Sequence, residues 1–145
     1  MTSIEAKPAA DGILPVQELN ACFKKGFISS ATELDKDQIQ PASLDLRLGR
    51  RAWRIQASFL PGMNQTVQKQ IEKFAMYPLD LSDGAVLETG CVYIVELQER
   101  LALPPSLSAL ANPKSSTGRL DVFTRLITDG AVSYTHLTLP TRYRV

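Results

Sequence analysis

Residues 38–49, QIQPASLDLRLG, alternate cleanly, with Leu44, Leu46 and Leu48 on one side and Ser43, Asp45 and Arg47 on the other. A period of two predicts a half-buried strand. Residues 52–57, AWRIQA, alternate again with Trp53 and Ile55 on the same side and predict a second strand. Ahead of both, ILPVQELNACFKKGF carries Val16, Leu19 and Phe23 at helical spacing, Pro15 in a first-turn position and Gly26 where a C-terminal stop belongs. This predicts a short amphipathic helix. The run MNQTVQKQIEKFAM, residues 63–76, sets Val67, Ile71 and Phe74 on one stripe and predicts a short helix or a long ordered insertion.

Beyond residue 76 the pattern breaks into short apolar pieces: YPLDL, AVLE, CVYIVEL, RLALP, SLSALA and DVFTRLI, divided by Gly, Pro and Asp. Closely spaced short strands with that punctuation predict a mainly β fold, a sandwich, barrel or jelly-roll, with a short N-terminal helix and one or two minor helices. Residues 1–12 read as a flexible arm and 13–130 as one domain. Composition adds little: 44% hydrophobic and 21% charged residues are ordinary for a globular chain. A net charge of +1 supplies no broad field for nucleic acid or an anionic membrane, so neither is expected as a partner. Cys22 and Cys91 lack the spacing of a zinc ribbon or disulfide framework, and the opening MTSIEAKPAADGILP lacks the basic start and apolar core of a signal peptide. A soluble, cytoplasmic protein is expected.

The chemistry concentrates in NPKSSTGRL, residues 112–120. It is no Walker motif, because no glycine stands five residues before a Gly-Lys pair. Ser115 and Ser116 at the start of a short helix or tight turn, with Lys114 and Arg119 as full charges, would make an anion nest. The plainer reading is a capped turn in which Gly118 permits a left-handed residue and both cations are solvated. Asp45 and Arg47 could pair with one another on their strand, a contact of small value and structural character, of the kind found near a subunit contact. Glu88, Glu96 and Glu99 read as solvent-facing strand positions, and Trp53 as a core anchor.

Residues 131–145, AVSYTHLTLPTRYRV, do not continue the preceding pattern. They resemble the translated text of a transposon-type sequencing adapter and are read as a non-native tail, which sets aside His136, the single histidine. On this reading the domain is incomplete.

NPKSSTGRLDVFTRLITD resembles the signature of the dCTP deaminase branch of the dUTPase-like superfamily. QPASLDLRLG resembles the same family's early strand, and DGAVLETGCVYIVELQERLALP its central hairpin. Within the family the wording resembles the N-terminal part of double-length bacterial forms. The resemblance implies a dUTPase-like β-barrel or jelly-roll, a trimer or trimer-like assembly, and hydrolytic deamination of dCTP to dUTP and ammonia. It implies Lys114, Ser115, Ser116, Thr117, Gly118 and Arg119 as substrate-binding residues, with Ser115 and Arg119 also helping to organise the attacking water. Asp129 would be either a substrate contact or a turn residue. The H-x-E and P-C-x-x-C set of zinc deaminases is absent from the sequence, so no protein-bound metal is expected and Mg²⁺ would arrive on the triphosphate. The family's general base is a glutamate beyond the Ser-Ser-x-x-Arg run, whereas residues 131–145 contain no acidic side chain. Two alternatives remain: a dUTP pyrophosphatase, or a non-catalytic nucleotide-binding or assembly module.

Overall fold

The computed structural model describes residues 12–61, 65–127, 130–131 and 138–143, the last two segments as backbone. Helix α1, Val16–Lys24, begins after Pro15, which caps rather than opens it, and the Val16 N–H donates to the Pro41 carbonyl at 2.8 Å. The helix ends as the sequence predicts. Gly26 has φ +73°, its N–H donates to the Phe23 carbonyl, and Phe27 N–H donates back to the Cys22 carbonyl. This is the paired bonding of a Schellman stop, which needs a left-handed residue that glycine adopts without a Cβ clash. Leu19 and Cys22 face inward against Ile28 and Leu103, and burial pushes the Cys22 thiol up from its ordinary value.

Next come β1 (Ile28–Ser30), β2 (Ile39–Gln40), β3 (Ser43–Leu44) and β4 (Leu48–Ile55). The alternating run 38–49 is therefore not one strand. It folds into the short β2–β3 ribbon, leaves residues 45–47 outside any strand, and only then enters β4. Its three leucines separate accordingly: Leu44 packs near Leu19 and Ile28, Leu46 against Leu97 and Leu126, and Leu48 is exposed. Helix α2, Val67–Phe74, is capped by Thr66, whose hydroxyl accepts from the Lys69 N–H at 3.3 Å. Its predicted stripe holds, since Ile71, Val67 and Phe74 join Ile55, Ile94, Ile127 and Trp53 in one cluster.

The remaining elements are β5 (Ala75–Asp80), β6 (Val92–Leu97), β7 (Glu99–Leu101), β8 (Ala109–Leu110), α3 (Ser115–Arg119), β9 (Val122–Thr124), β10 (Gly130–Ala131) and β11 (Thr138–Tyr143). The main sheet is antiparallel in the order β5-β4-β6-β11-β9, and β1-β7, β2-β3 and β8-β10 form separate two-stranded ribbons. Thr138–Tyr143, within the stretch read from sequence as a tail, lies between β6 and β9. Strand β6 is buried on both faces, with Ile94 toward α2 and Tyr93 and Val95 toward Ala52, Leu79 and Leu87. Where β4 enters the sheet its register against β6 shifts between Leu48 and Ala52, and a Cβ on Gly49 would stand 3.0 Å from the Glu96 carbonyl oxygen. Only glycine fits that approach without displacing the partner backbone.

The expected β-barrel or jelly-roll is corrected by this topology. Among the described residues the chain is a mixed α/β fold with three helices and open sheets, and no sheet closes on itself. One edge of the main sheet is β5, where Pro78 has no N–H to donate, so that edge is blunted against a further strand. The side ribbons are only two or three residues long and cannot carry the hydrogen bonding around a barrel. Among the described residues no helix is long and apolar enough to cross a membrane.

Ile71→Ala removes the anchor of α2 from a buried site and is expected to cost about 2–5 kcal/mol in urea unfolding. At the end of β5, Asp80 Oδ1 accepts from the Ser82 hydroxyl at 2.5 Å and the Ser82 N–H at 2.8 Å, and these bonds hold its carboxyl below the ordinary range. A depressed folded-state value stabilises the fold above the unfolded aspartate value of about 3.9, and that contribution disappears as pH falls through the folded value. The melting-temperature advantage of the wild type over Asp80→Asn should therefore be full near neutrality and shrink in acid.

Candidate functional site

The short apolar run 106–111 yields only the two-residue β8, after which Asn112 and Pro113 lead into Lys114. Lys114 is extended, with φ −69° and ψ 133°, and is the N-cap of α3; Ser115 and Ser116 form the first turn instead of capping it. The Thr117 hydroxyl donates to the Lys114 carbonyl at 2.6 Å and the Thr117 N–H to the same oxygen at 3.1 Å, which fixes the entry to the turn. Gly118 is a poor helix former and limits α3 to five residues. It is not the left-handed residue, however: that is Asp121, at φ 60°, just past the Leu120 C-cap. Asp121 closes the turn by donating its N–H to the Gly118 carbonyl at 3.1 Å.

A helix turn brings residues four apart onto one face, so Ser115 and Arg119 share a side, with Ser116 adjacent. The N–H groups of Ser115 and Ser116, unlike that of Thr117, have no acceptor within the turn, and they lie at its positive end. The sequence's six clustered residues, Lys114, Ser115, Ser116, Thr117, Gly118 and Arg119, are thus assembled on one short element. All but the half-buried Thr117 are exposed. Asp129 and His136 fall outside the described residues. Around α3, Leu110, Leu120 and Phe123 are also exposed, so the element lies on an open surface of the single chain.

Lys114 is not simply solvated. Its Nζ lies 2.5 Å from Asp45 Oδ2, which joins α3 to the irregular stretch between β3 and β4. Asp45 therefore pairs with Lys114, and the expected pairing with Arg47 is corrected. Arg47 bonds elsewhere: its Nε and backbone N–H donate to the two carboxylate oxygens of Glu99 at 3.0 and 2.8 Å, and its remaining nitrogens reach the Glu33 carbonyl and the Ser30 hydroxyl. Glu99 is 1% exposed, so its reading as a solvent-facing residue is also corrected. Its third donor is Gln38 Nε2 at 2.6 Å, and that amide also donates to the Asp45 carbonyl at 2.9 Å. The other two glutamates lie outward as expected, Glu96 half-buried and paired with Arg51, Glu88 exposed and beside Arg54.

Glu99 had a signal in the sequence. Tyr93, Val95, Leu97, Glu99, Leu101 and Leu103 form one alternating series, and Glu99 is the single charge on its inward parity. Among the described residues no three His, Cys, Asp or Glu side chains gather as a metal cage would. Chemically, the site offers hydroxyls, helix N–H groups and two cations to an anion, on a rim whose backbone is anchored by a buried carboxylate.

Residues 10–143 match the family described as 2'-deoxycytidine 5'-triphosphate deaminase (DCD) N-terminal domain. A solved structure of 2'-deoxycytidine 5'-triphosphate deaminase from Agrobacterium tumefaciens superposes with a TM-score of 0.86 at 52% identity, covering 92% of this chain and 42% of that one. Among curated proteins, a dCTP deaminase of Natronomonas pharaonis is 31% identical over 86 residues, 59% of this chain and 44% of the relative. A dUMP-forming dCTP deaminase of Halobacterium salinarum is 30% identical over 112 residues, 76% of this chain and 57% of the relative. The chain belongs to the dCTP deaminase N-terminal domain family. It spans about half the length of the curated relatives it matches.

The left-handed Asp121 sets the angle at which α3 meets β9. Asp121→Gly should leave stability unchanged or raise it, while Asp121→Val, β-branched at φ 60°, should cost about 1–2 kcal/mol in urea unfolding.

Proposed function

We propose that this chain supplies a nucleotide-binding surface for the hydrolytic deamination of dCTP to dUTP and ammonia, within a soluble, cytoplasmic trimer or trimer-like assembly. The family match over residues 10–143, with the Ser-Ser-x-x-Arg run carried on an exposed helical turn, is the observation that supports this reading. Lys114 and Arg119 take the phosphates, the arginine through charge-assisted bonds, while the Ser115 and Ser116 hydroxyls and N–H groups complete the cradle on the turn shaped by Thr117 and Gly118. Asp129 is a further substrate contact on this reading. Magnesium enters as part of the substrate, held by phosphate oxygens and water, so it needs no protein cage.

The reaction forms a C4–O bond from water and breaks the C4–N bond, releasing ammonia. Ser115 and Arg119 orient the water and stabilise charge on the tetrahedral intermediate, and a glutamate general base removes the water's proton. That base belongs to sequence beyond α3, and residues 131–145 hold no carboxylate side chain. Binding is the step this reading assigns to residues 114–119. An open, exposed α3 with apolar Leu120 and Phe123 beside it is consistent with a site that a neighbouring subunit covers.

Calorimetry with dCTP and Mg²⁺ tests the binding directly. Arg119→Ala should weaken it about 10- to 100-fold and Ser115→Ala by a smaller factor. Absence of dCTP binding by the wild type overturns the proposal. In an assembly that also carries the glutamate, ammonia release from dCTP is expected, with chromatography separating dUTP from dUMP as product.

A further inference from the structure

We infer that Glu99 is a positioning residue for Lys114, acting through Gln38, Arg47 and Asp45. The side chain of Glu99 is wholly buried, and a carboxylate out of water must have its lone pairs satisfied. Here all the donors come from the segments that flank Asp45. Arg47 provides its backbone N–H and Nε, and Gln38 provides its amide at 2.6 Å. Gln38 and Asp45 then hold each other: the Asp45 N–H donates to the Gln38 carbonyl at 2.9 Å, and the Gln38 side chain donates to the Asp45 carbonyl at 2.9 Å. Both backbone polar groups of Asp45 are thereby fixed, and the N–H two residues on is fixed by Glu99 itself. The Asp45 carboxylate, half-buried, has its base immobilised and meets Lys114 Nζ at 2.5 Å.

Lys114 alone is long, flexible and largely exposed. Locating its ammonium at the rim of α3 costs side-chain entropy, and an immobile carboxylate supplies that ordering before any ligand arrives. Residues 69 apart in sequence are joined by this one link. Loosening Glu99 should therefore be felt at Lys114 even though the two side chains do not touch.

The test has one arm independent of nucleotide and one that rests on the proposed function. In the first, the intact chain is labelled with an amine-acylating reagent, and modification of Lys114 is read by mass spectrometry relative to exposed Lys36. Glu99→Gln and Asp45→Asn should each raise the relative labelling of Lys114 about two- to fivefold, while Glu96→Gln, which cuts an exposed pair with Arg51, should not. If Glu99→Gln fails to fold, Gln38→Met, which removes the amide that joins Glu99 to the Asp45 carbonyl, takes its place and should raise the labelling of Lys114 likewise. In the second arm, Glu99→Gln should weaken dCTP binding about threefold, and this loss should vanish in a Lys114→Met background, since residues acting as one unit are non-additive. Unchanged Lys114 labelling in the folded variants, or additive losses in the double variant, overturns the inference. A wild type that binds no dCTP overturns the proposed function and leaves the labelling arm to decide the positioning role.

Discussion

Glu99 places a carboxylate in the protein interior, where an ion loses several kcal/mol of hydration that mutual attraction with a partner restores only when geometry and hydrogen bonding are good. The restoration here is distributed. A guanidinium on one side, a backbone N–H beside it and a side-chain amide on the other leave little lone-pair capacity unused. The three donors belong to segments with little regular secondary structure of their own, since β2 and β3 are two residues each and 45–47 lies outside any strand. Two-residue strands give those segments few ladder bonds. The buried carboxylate takes the place of a ladder, and it does so next to the element that carries the candidate site.

The rest of the architecture makes such a device necessary. Strand β6 is the centre of the sheet and is covered on both faces, so its surroundings are rigid. Just beyond it the chain passes through Gln98 into Glu99, and β7 leaves the main sheet to pair with β1. The transition between two sheets would expose backbone groups, and Gln98 provides for them: its N–H donates to the Arg47 carbonyl at 3.0 Å, and its Nε2 donates to the Leu48 carbonyl at 3.0 Å. The register shift near Gly49 belongs to the same transition, because it lets β4 rejoin β6 after the irregular stretch. One junction thus satisfies the backbone, turns the chain and fixes Asp45.

What the sequence made legible follows from range. Helix α1, its glycine stop, the stripe of α2 and the shared face of Trp53 and Ile55 depend on neighbours a few residues apart, and periodicity reports those. The grouping of residues 114–119 on one element was legible for the same reason. Sheet closure depends on which edges meet: Pro78 is a local sign that β5 is an edge, but nothing local says that β7 departs to pair with β1. Alternation also misled at 43–48, where leucines spaced by two enter different clusters because the chain turns between them. Pairings such as Lys114 with Asp45 and Arg47 with Glu99 span dozens of residues and have no periodic trace, although alternation along 93–103 does set a single charge among inward-facing apolar side chains.

The link between Asp45 and Lys114 could be thought to block an anion instead of preparing its site, because a carboxylate already occupies the ammonium. Magnitudes decide against this. The lysine side chain is 63% exposed and the aspartate 31%, and pairs so open to water are worth about 0.2–1 kcal/mol. On the proposed function a triphosphate would bring several negative charges and meet Arg119 and the Ser115 and Ser116 N–H groups together with Lys114, with each charge-assisted bond contributing about 1.5–3 kcal/mol. So weak a contact cannot hold out a ligand with that many partners. It is strong enough to bias where a free lysine side chain spends its time, and because the aspartate backbone is fixed from beneath, the bias always points to the same place.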